Sequence, residues 1–274
     1  LEGVGGKDRV TALGFHPNNI ARILALGLLS IAGLVYAVRK SAFKSSLWVW
    51  LMAGLIGITI VQTGSRGGLL ALGAGLAVFM LRKGAVAAKF RTVAFVTLGL
   101  IFFLTIVFQS EMSLSRFAST FEDGNLARRE QIYPTAWKMI KEKPVFGWGT
   151  KPGEYELGAR LAHPEEEKKN AHNLILYVLI SQGLLGFVPL AIALGFTLKA
   201  AWDTRGSVRG VLPLSLLTTV LVANMSGIWI NNKMHWIVIA YALSSLFVGK
   251  GPKRVRLKGV DMILGKRPIN AALG

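Results

Sequence analysis

Three places in the chain hold side chains suited to anionic chemistry. Arg66 stands in Thr63-Gly64-Ser65-Arg66-Gly67-Gly68, Arg128 and Arg129 are adjacent, and His172 stands in Ala171-His172-Asn173. A guanidinium presents a planar fork of donors that suits a phosphate or diphosphate. The glycines around Arg66 leave room for a ligand to approach the backbone. A neutral imidazole, with an unperturbed pKa of about 6.5, can serve as a general base. The positive end of a following helix would favour that neutral form. Each feature also has a plainer reading. Arg66 could anchor a short loop while its glycines serve helix packing. Arg128 and Arg129 could be a solvated pair, and His172 an interfacial hydrogen-bonding residue. His16, His163 and His235 have weaker context.

The elements that must position these side chains are apolar. The 274 residues are 52% hydrophobic and 17% charged, with mean hydropathy +0.48. Soluble domains carry about 25% charged residues, so this is a membrane composition. A helix crossing about 30 Å of hydrocarbon needs roughly 17–25 apolar residues. Seven runs approach that length: Ile20–Val38, Leu47–Gly64, Gly67–Leu81, Thr92–Phe108, Leu174–Leu198, Val211–Ile230 and Met234–Val248. In lipid, unpaired backbone groups are too costly to leave, so these runs are expected to be helices. The sequence shows no internal repeat and no broken helix.

The net charge of +18 does not indicate nucleic acid, because the basic residues are segregated. They follow the first, third, fifth and seventh runs, whereas the loop Gln109–Ala171 carries ten acids and ten Lys or Arg. By the positive-inside rule the basic segments, with the tail 249–274, face the cytoplasm. The large loop and the Ser65-Arg66 turn then face outward. The expected organisation is four spans over 1–108, a periplasmic loop with short helices over 109–171, three spans over 172–248 and the basic tail. The chain begins with Leu1 without a signal-peptide pattern, so further spans are expected upstream.

Within the loop, Tyr133, Trp137 and Ile140 fall on one helical face, and Pro134 is expected to start or kink that helix. Gly, Pro and charge content predict irregular structure from Pro144 to Asn170, with Glu165–Lys169 as a solvated charge run. Asn18 or Asn19 is expected to cap the first span, and Asn170 or Asn173 the fifth. The chain has no cysteine, so disulfides and thiolate chemistry are excluded. The loop has no Asp-x-Asp or His-x-x-x-His spacing for a metal, and the chain has no Gly-x-Ser-x-Gly elbow.

In order, these motifs resemble the O-antigen ligase and polymerase superfamily of membrane glycosyltransferases. The resemblance rests on His16-Pro17-Asn18, Thr63-Gly64-Ser65-Arg66-Gly67-Gly68, and Arg129 fifteen residues before Pro144-Val145-Phe146-Gly147-Trp148-Gly149. His172-Asn173 and Gly183-Leu184-Leu185-Gly186 complete it. It covers nearly the whole chain, as the C-terminal part of such a protein. It implies an all-α, multispan fold like that of glycosyltransferases using polyprenyl-linked donors, in the bacterial inner membrane. The implied reaction moves a glycan from undecaprenyl diphosphate to an acceptor hydroxyl by inverting displacement, with no metal or cofactor. Ligases use lipid A core as acceptor; polymerases use another repeat unit. Carried over, Arg66 and Arg129 would bind the diphosphate, with Arg128 an alternative to Arg129, and His172 would orient or deprotonate the acceptor. A polyprenyl-glycan transporter and a non-catalytic envelope scaffold are the other classes compatible with a basic, multispan protein.

Overall fold

The computed structural model describes residues 16–37, 47–81, 128–161, 168–206 and 208–249, together with isolated positions 97, 101, 105 and 108. Among the described residues there is no strand. The helices are α1 (Pro17–Ala37), α2 (Leu47–Gln62), α3 (Arg66–Val78, extended by a 3-10 turn Phe79–Leu81), α4 (Arg129–Glu142) and α5 (Thr150–Arg160). They continue as α6 (Leu174–Asp203), α7 (Val208–Asn224) and α8 (Lys233–Gly249). Six of the seven apolar runs therefore appear as helices. The fourth run, Thr92–Phe108, lies outside the described residues save for those isolated positions, as do His163 and the tail.

α1, α3 and α7 form the centre. A Cβ on Gly68 would meet Ala21, and one on Gly75 would meet Leu29, so α1 and α3 run in the same direction. Gly67 abuts Ser226 and Gly75 abuts Thr219, so α7 runs against them. Small residues let the three backbones approach closely. Ser215 Oγ takes advantage of this approach and donates to Gly75 O at 2.7 Å. Leu29, Ile60, Leu72, Val211, Leu217 and Trp229 fill the core around this contact. The far ends of α6 and α8 meet through Thr204 and Ser245, whose hydroxyls are 3.0 Å apart. The starts of α1, α3, α6 and α8 therefore share one end of the molecule with the end of α7.

A second core joins α4, α5 and the start of α6, built on Ile132, Ala136, Met139, Ile140, Leu157 and Ile180. The buried face of α4 is thus Ile132, Ala136, Met139 and Ile140. Along the Tyr133–Trp137–Ile140 face expected from spacing, Ile140 is buried, Tyr133 half-buried and Trp137 exposed. α4 also starts five residues before Pro134 and runs through it.

Several local expectations are corrected. Helix α1 starts with Pro17 in its first turn, where the missing N–H costs nothing. His16 caps it, not Asn18 or Asn19: Nδ1 accepts from Asn18 N at 3.2 Å and the carbonyl from Asn19 N at 2.8 Å. Asn19 instead spends its side chain on Trp229. The Val211–Ile230 run leaves the helix at Asn224. There the Asn224 amide donates to Val220 O and its Oδ1 accepts from Trp229 N at 2.9 Å, closing a turn. The Pro144–Asn170 stretch contains α5, whose buried face is Gly153, Leu157 and Gly158 and so offers one bulky apolar residue to pattern reading. Lys169 is buried, contrary to a fully solvated 165–169 run, and its amide donates to Glu154 O.

The largest departure is a break in α6. Gly183 has φ 61° and ψ −156°, outside the helical region. The loop 144–149 repairs the break: Trp148 N and Gly149 N donate to Ile180 O (2.7 Å) and Ser181 O (2.9 Å). In return, Leu184 N and Leu185 N donate to Pro144 O (2.8 Å) and Val145 O (3.2 Å). The two glycine motifs are therefore one structure, a loop backbone substituting for a missing helical turn.

Candidate functional site

Arg66, Arg129 and His172 all stand where a helix begins. Arg66 is the first residue of α3, after Ser65, whose Oγ accepts from Gly68 N at 3.2 Å. Thr63 Oγ1 accepts from Ser65 N at 3.2 Å, and Gly64 at φ 58° completes the turn. Arg129 is the first residue of α4. His172 precedes Asn173, which caps α6 by accepting from Ile175 N and Leu176 N at 2.9 and 3.3 Å. His172 has φ 49°, and its amide donates to Asn170 Oδ1 at 2.8 Å. Both asparagines expected as caps are thus used, one for the helix and one for the turn before it. Unpaired N–H groups at helix starts add positive potential, so these three positions share an electrostatic sense.

Ser226 ties the arginine-bearing elements together. Arg129 Nη2 donates to Ser226 O at 3.0 Å, and one turn further Tyr133 Oη donates to Met225 O at 3.2 Å. A Cβ on Gly67, next to Arg66, would collide with Ser226 Oγ. The starts of α3 and α4 therefore meet on the turn that follows α7. Arg128 is exposed with a left-handed backbone (φ 64°), so Arg129 is the member of the pair that reaches into the fold.

An open cleft of about 330 Å³ is lined by Tyr133, Trp137, Asn173, Ile175 and Leu176, and His172 is the residue before Asn173. The cleft brings α4, which carries Arg129, against the start of α6. Tyr177 extends the join toward α5, lining a small pocket with Thr150, Gly153 and Glu154. All three sequence-derived positions thus lie toward one end of the fold, with Arg66 and Arg129 linked through Ser226 and His172 in the turn before α6.

α4 is held in place by its far end. The fork of Arg160 donates to Glu142 at 2.6 Å through both Nη atoms, and its Nε donates to Glu156 at 2.7 Å. Trp148 lies beneath Arg160 (5.1 Å) and Lys143 (3.8 Å) and donates Nε1 to Met139 O at 2.9 Å. The bond from Arg160 holds the Glu142 carboxyl below its ordinary range, and the same carboxylates raise Arg160 above its own.

Sequence reading did not single out Arg22, Asn19, Ser226 or Trp229. Trp229 is fully buried and donates Nε1 to Asn19 Oδ1 at 3.1 Å. Arg22 is buried beside it, with its guanidinium 5.9 Å from the Trp229 ring. The available signal was a charge within the apolar Ile20–Val38 run, where arginine is costly. His235, the weaker histidine, is buried with Nδ1 3.1 Å from Asn224 Nδ2. An amide nitrogen can only donate, so this contact puts the imidazole proton on Nε2. Among the described residues, no three His, Asp or Glu side chains group as metal ligands.

A family model described as O-Antigen ligase matches residues 47–191, from the start of α2 through the break in α6. No curated protein matches the chain.

Proposed function

Since the chain belongs to the O-antigen ligase family, whose broad activity is glycan transfer of the ligase or polymerase type, we propose that it moves a glycan from undecaprenyl diphosphate to an acceptor hydroxyl. The supporting observation is the meeting of the Arg129 and Arg66 helix starts at Ser226, toward the same end of the fold as the His172 turn that opens α6. The acceptor oxygen attacks the anomeric carbon and the bond from that carbon to the diphosphate oxygen breaks, with inversion. His172 takes the acceptor proton, and undecaprenyl diphosphate leaves with its added charge held by Arg66 and Arg129. Guanidinium groups fixed before the reaction stabilise such charge without reorganising. Arg128, being exposed, serves at most in outer recruitment of the anion.

This reading places the protein in the bacterial inner membrane, with seven spans, the 109–171 loop in the periplasm and the basic tail in the cytoplasm. Two helices, α1 and α6, are long and apolar enough to cross a membrane, and the other four bundle helices are shorter apolar ones. Only 28% of the apolar window in α6 is buried, the reverse of a soluble core helix. Leu184, Leu185, Val188, Ile192 and Phe196 face outward along it, as lipid contact requires.

A lipid A core acceptor, the ligase type, is the reading we favour over a polymerase that extends another repeat unit. Both share the donor. Purified protein given a lipid-linked glycan with either lipid A core or a second donor separates them. Glycan on lipid A core supports the ligase type; long chains still on undecaprenyl diphosphate refute it. A transporter reading draws on broken helices. Here the broken ends of α6 are filled by the protein's own loop rather than by a central site.

A further inference from the structure

Arg22 is a buried charge that no carboxylate among the described residues pairs with. It is 4% exposed, and Nε has no hydrogen-bond partner. Its remaining contacts are long: Nη1 to Asn19 Oδ1 at 3.5 Å and Nη2 to Ser226 Oγ at 3.4 Å, against about 2.7–2.9 Å for a strong charge-assisted bond. Among the described residues no carboxylate pairs with it, and the charge on Arg129 repels its own. Both guanidinium groups converge on Ser226, Arg22 on the hydroxyl and Arg129 on the carbonyl. A Cβ on Gly227 would collide with the Arg22 guanidinium, so the turn is shaped around it.

Burying a guanidinium beside a like charge carries a cost in stability. Such an arrangement is useful if an anion arrives to neutralise it. We propose that Arg22 is a third cationic group of the anion site, a positioning residue whose charge acts from behind Ser226 to favour a diphosphate ester at Arg129. This rests on the proposed donor class. The diphosphate brings more than one negative charge, which suits a site where two guanidinium groups converge on one residue.

The test is Arg22→Gln in the full chain in nanodiscs, with melting temperature and affinity measured for undecaprenyl diphosphate, phosphatidylglycerol and inorganic pyrophosphate. The ligand-free variant should melt no lower than wild type, because a buried repulsion is removed. Its affinity for undecaprenyl diphosphate should fall on the order of tenfold, as expected for losing one nearby charge. Pyrophosphate should compete for the wild-type site and compete less well for the variant. Unchanged diphosphate affinity overturns the proposal and makes Arg22 a brace for the turn. An equal loss for phosphatidylglycerol also overturns it, by assigning the site to phospholipid headgroups. If the Gln variant does not fold, Arg22→Lys decides: near wild-type affinity supports the charge role, and a tenfold loss at normal melting temperature overturns it. Arg129→Ala is the companion arm. Loss of binding there with none in Arg22→Gln sinks only this inference; no loss in either sinks the diphosphate site itself.

Discussion

No side chain fits between Gly183 and Val145. A Cβ on Gly183 would run into the Val145 carbonyl and lie 2.7 Å from Gly147 N, and Gly147 is equally hemmed in by Ile180 O and Gln182 N. Both glycines have positive φ, 61° and 71°. Space and backbone conformation together demand glycine at each position.

Gly183→Ala and Gly147→Ala should each destabilise the protein by at least about 2 kcal/mol. Because both act on one interlock, the double variant should fall short of the sum. Melting temperatures in detergent give the result. Two unchanged temperatures would mean the loop and the break in α6 are not joined as described.

Trp148 combines a ring in contact with two cations with a hydrogen bond to Met139 O. Trp148→Phe keeps most of the stacking and loses the bond, and should cost about 1 kcal/mol. Trp148→Ala loses both and should cost about 3 kcal/mol or more. Equal costs in chemical unfolding would assign all the stabilisation to the hydrogen bond.

Glu142 has its carboxyl held below the ordinary range by Arg160. Its folded pKa lies below its unfolded one. The stability it contributes is therefore present above the ordinary carboxylate range and lost as pH falls through the lowered folded value. Wild type and Glu142→Gln should differ in melting temperature at pH 7 and converge at strongly acidic pH. The difference should be small because the pair is exposed to solvent. A gap that widens on acidification would contradict the sign.

Much of this was legible in the sequence, because apolar length and helix-start chemistry are local signals. An asparagine cap for α6, at Asn170 or Asn173, and a turn between two spans at Ser65-Arg66 follow from residue type alone. The break at Gly183 was not legible. Nothing in Ile180–Gly186 differs from a helix with packing glycines, since the hydrogen bonds that permit the break come from residues 144–149. α5 escaped for a related reason: glycines hold its packed face, leaving Leu157 as the lone large apolar residue there. The apolar run ending at Ile230 hid the Asn224–Trp229 turn, because Trp229 is buried by the bundle whether or not it is helical. Arg22 was visible as a charge in an apolar run. Its relation to Arg129 needed the fold, since Ser226, which joins them, is distant from both in sequence.

The most direct measurement is transfer from a purified undecaprenyl-diphosphate-linked glycan to lipid A core by wild type, Arg66→Ala, Arg129→Ala and His172→Ala, at matched membrane insertion. Wild type should transfer and release undecaprenyl diphosphate. Each variant should lose transfer, with donor affinity weakened in the two arginine variants and retained in His172→Ala. Full transfer by His172→Ala, or undiminished donor binding by both arginine variants, would contradict a reaction in which guanidinium groups hold the departing diphosphate while an imidazole accepts the proton.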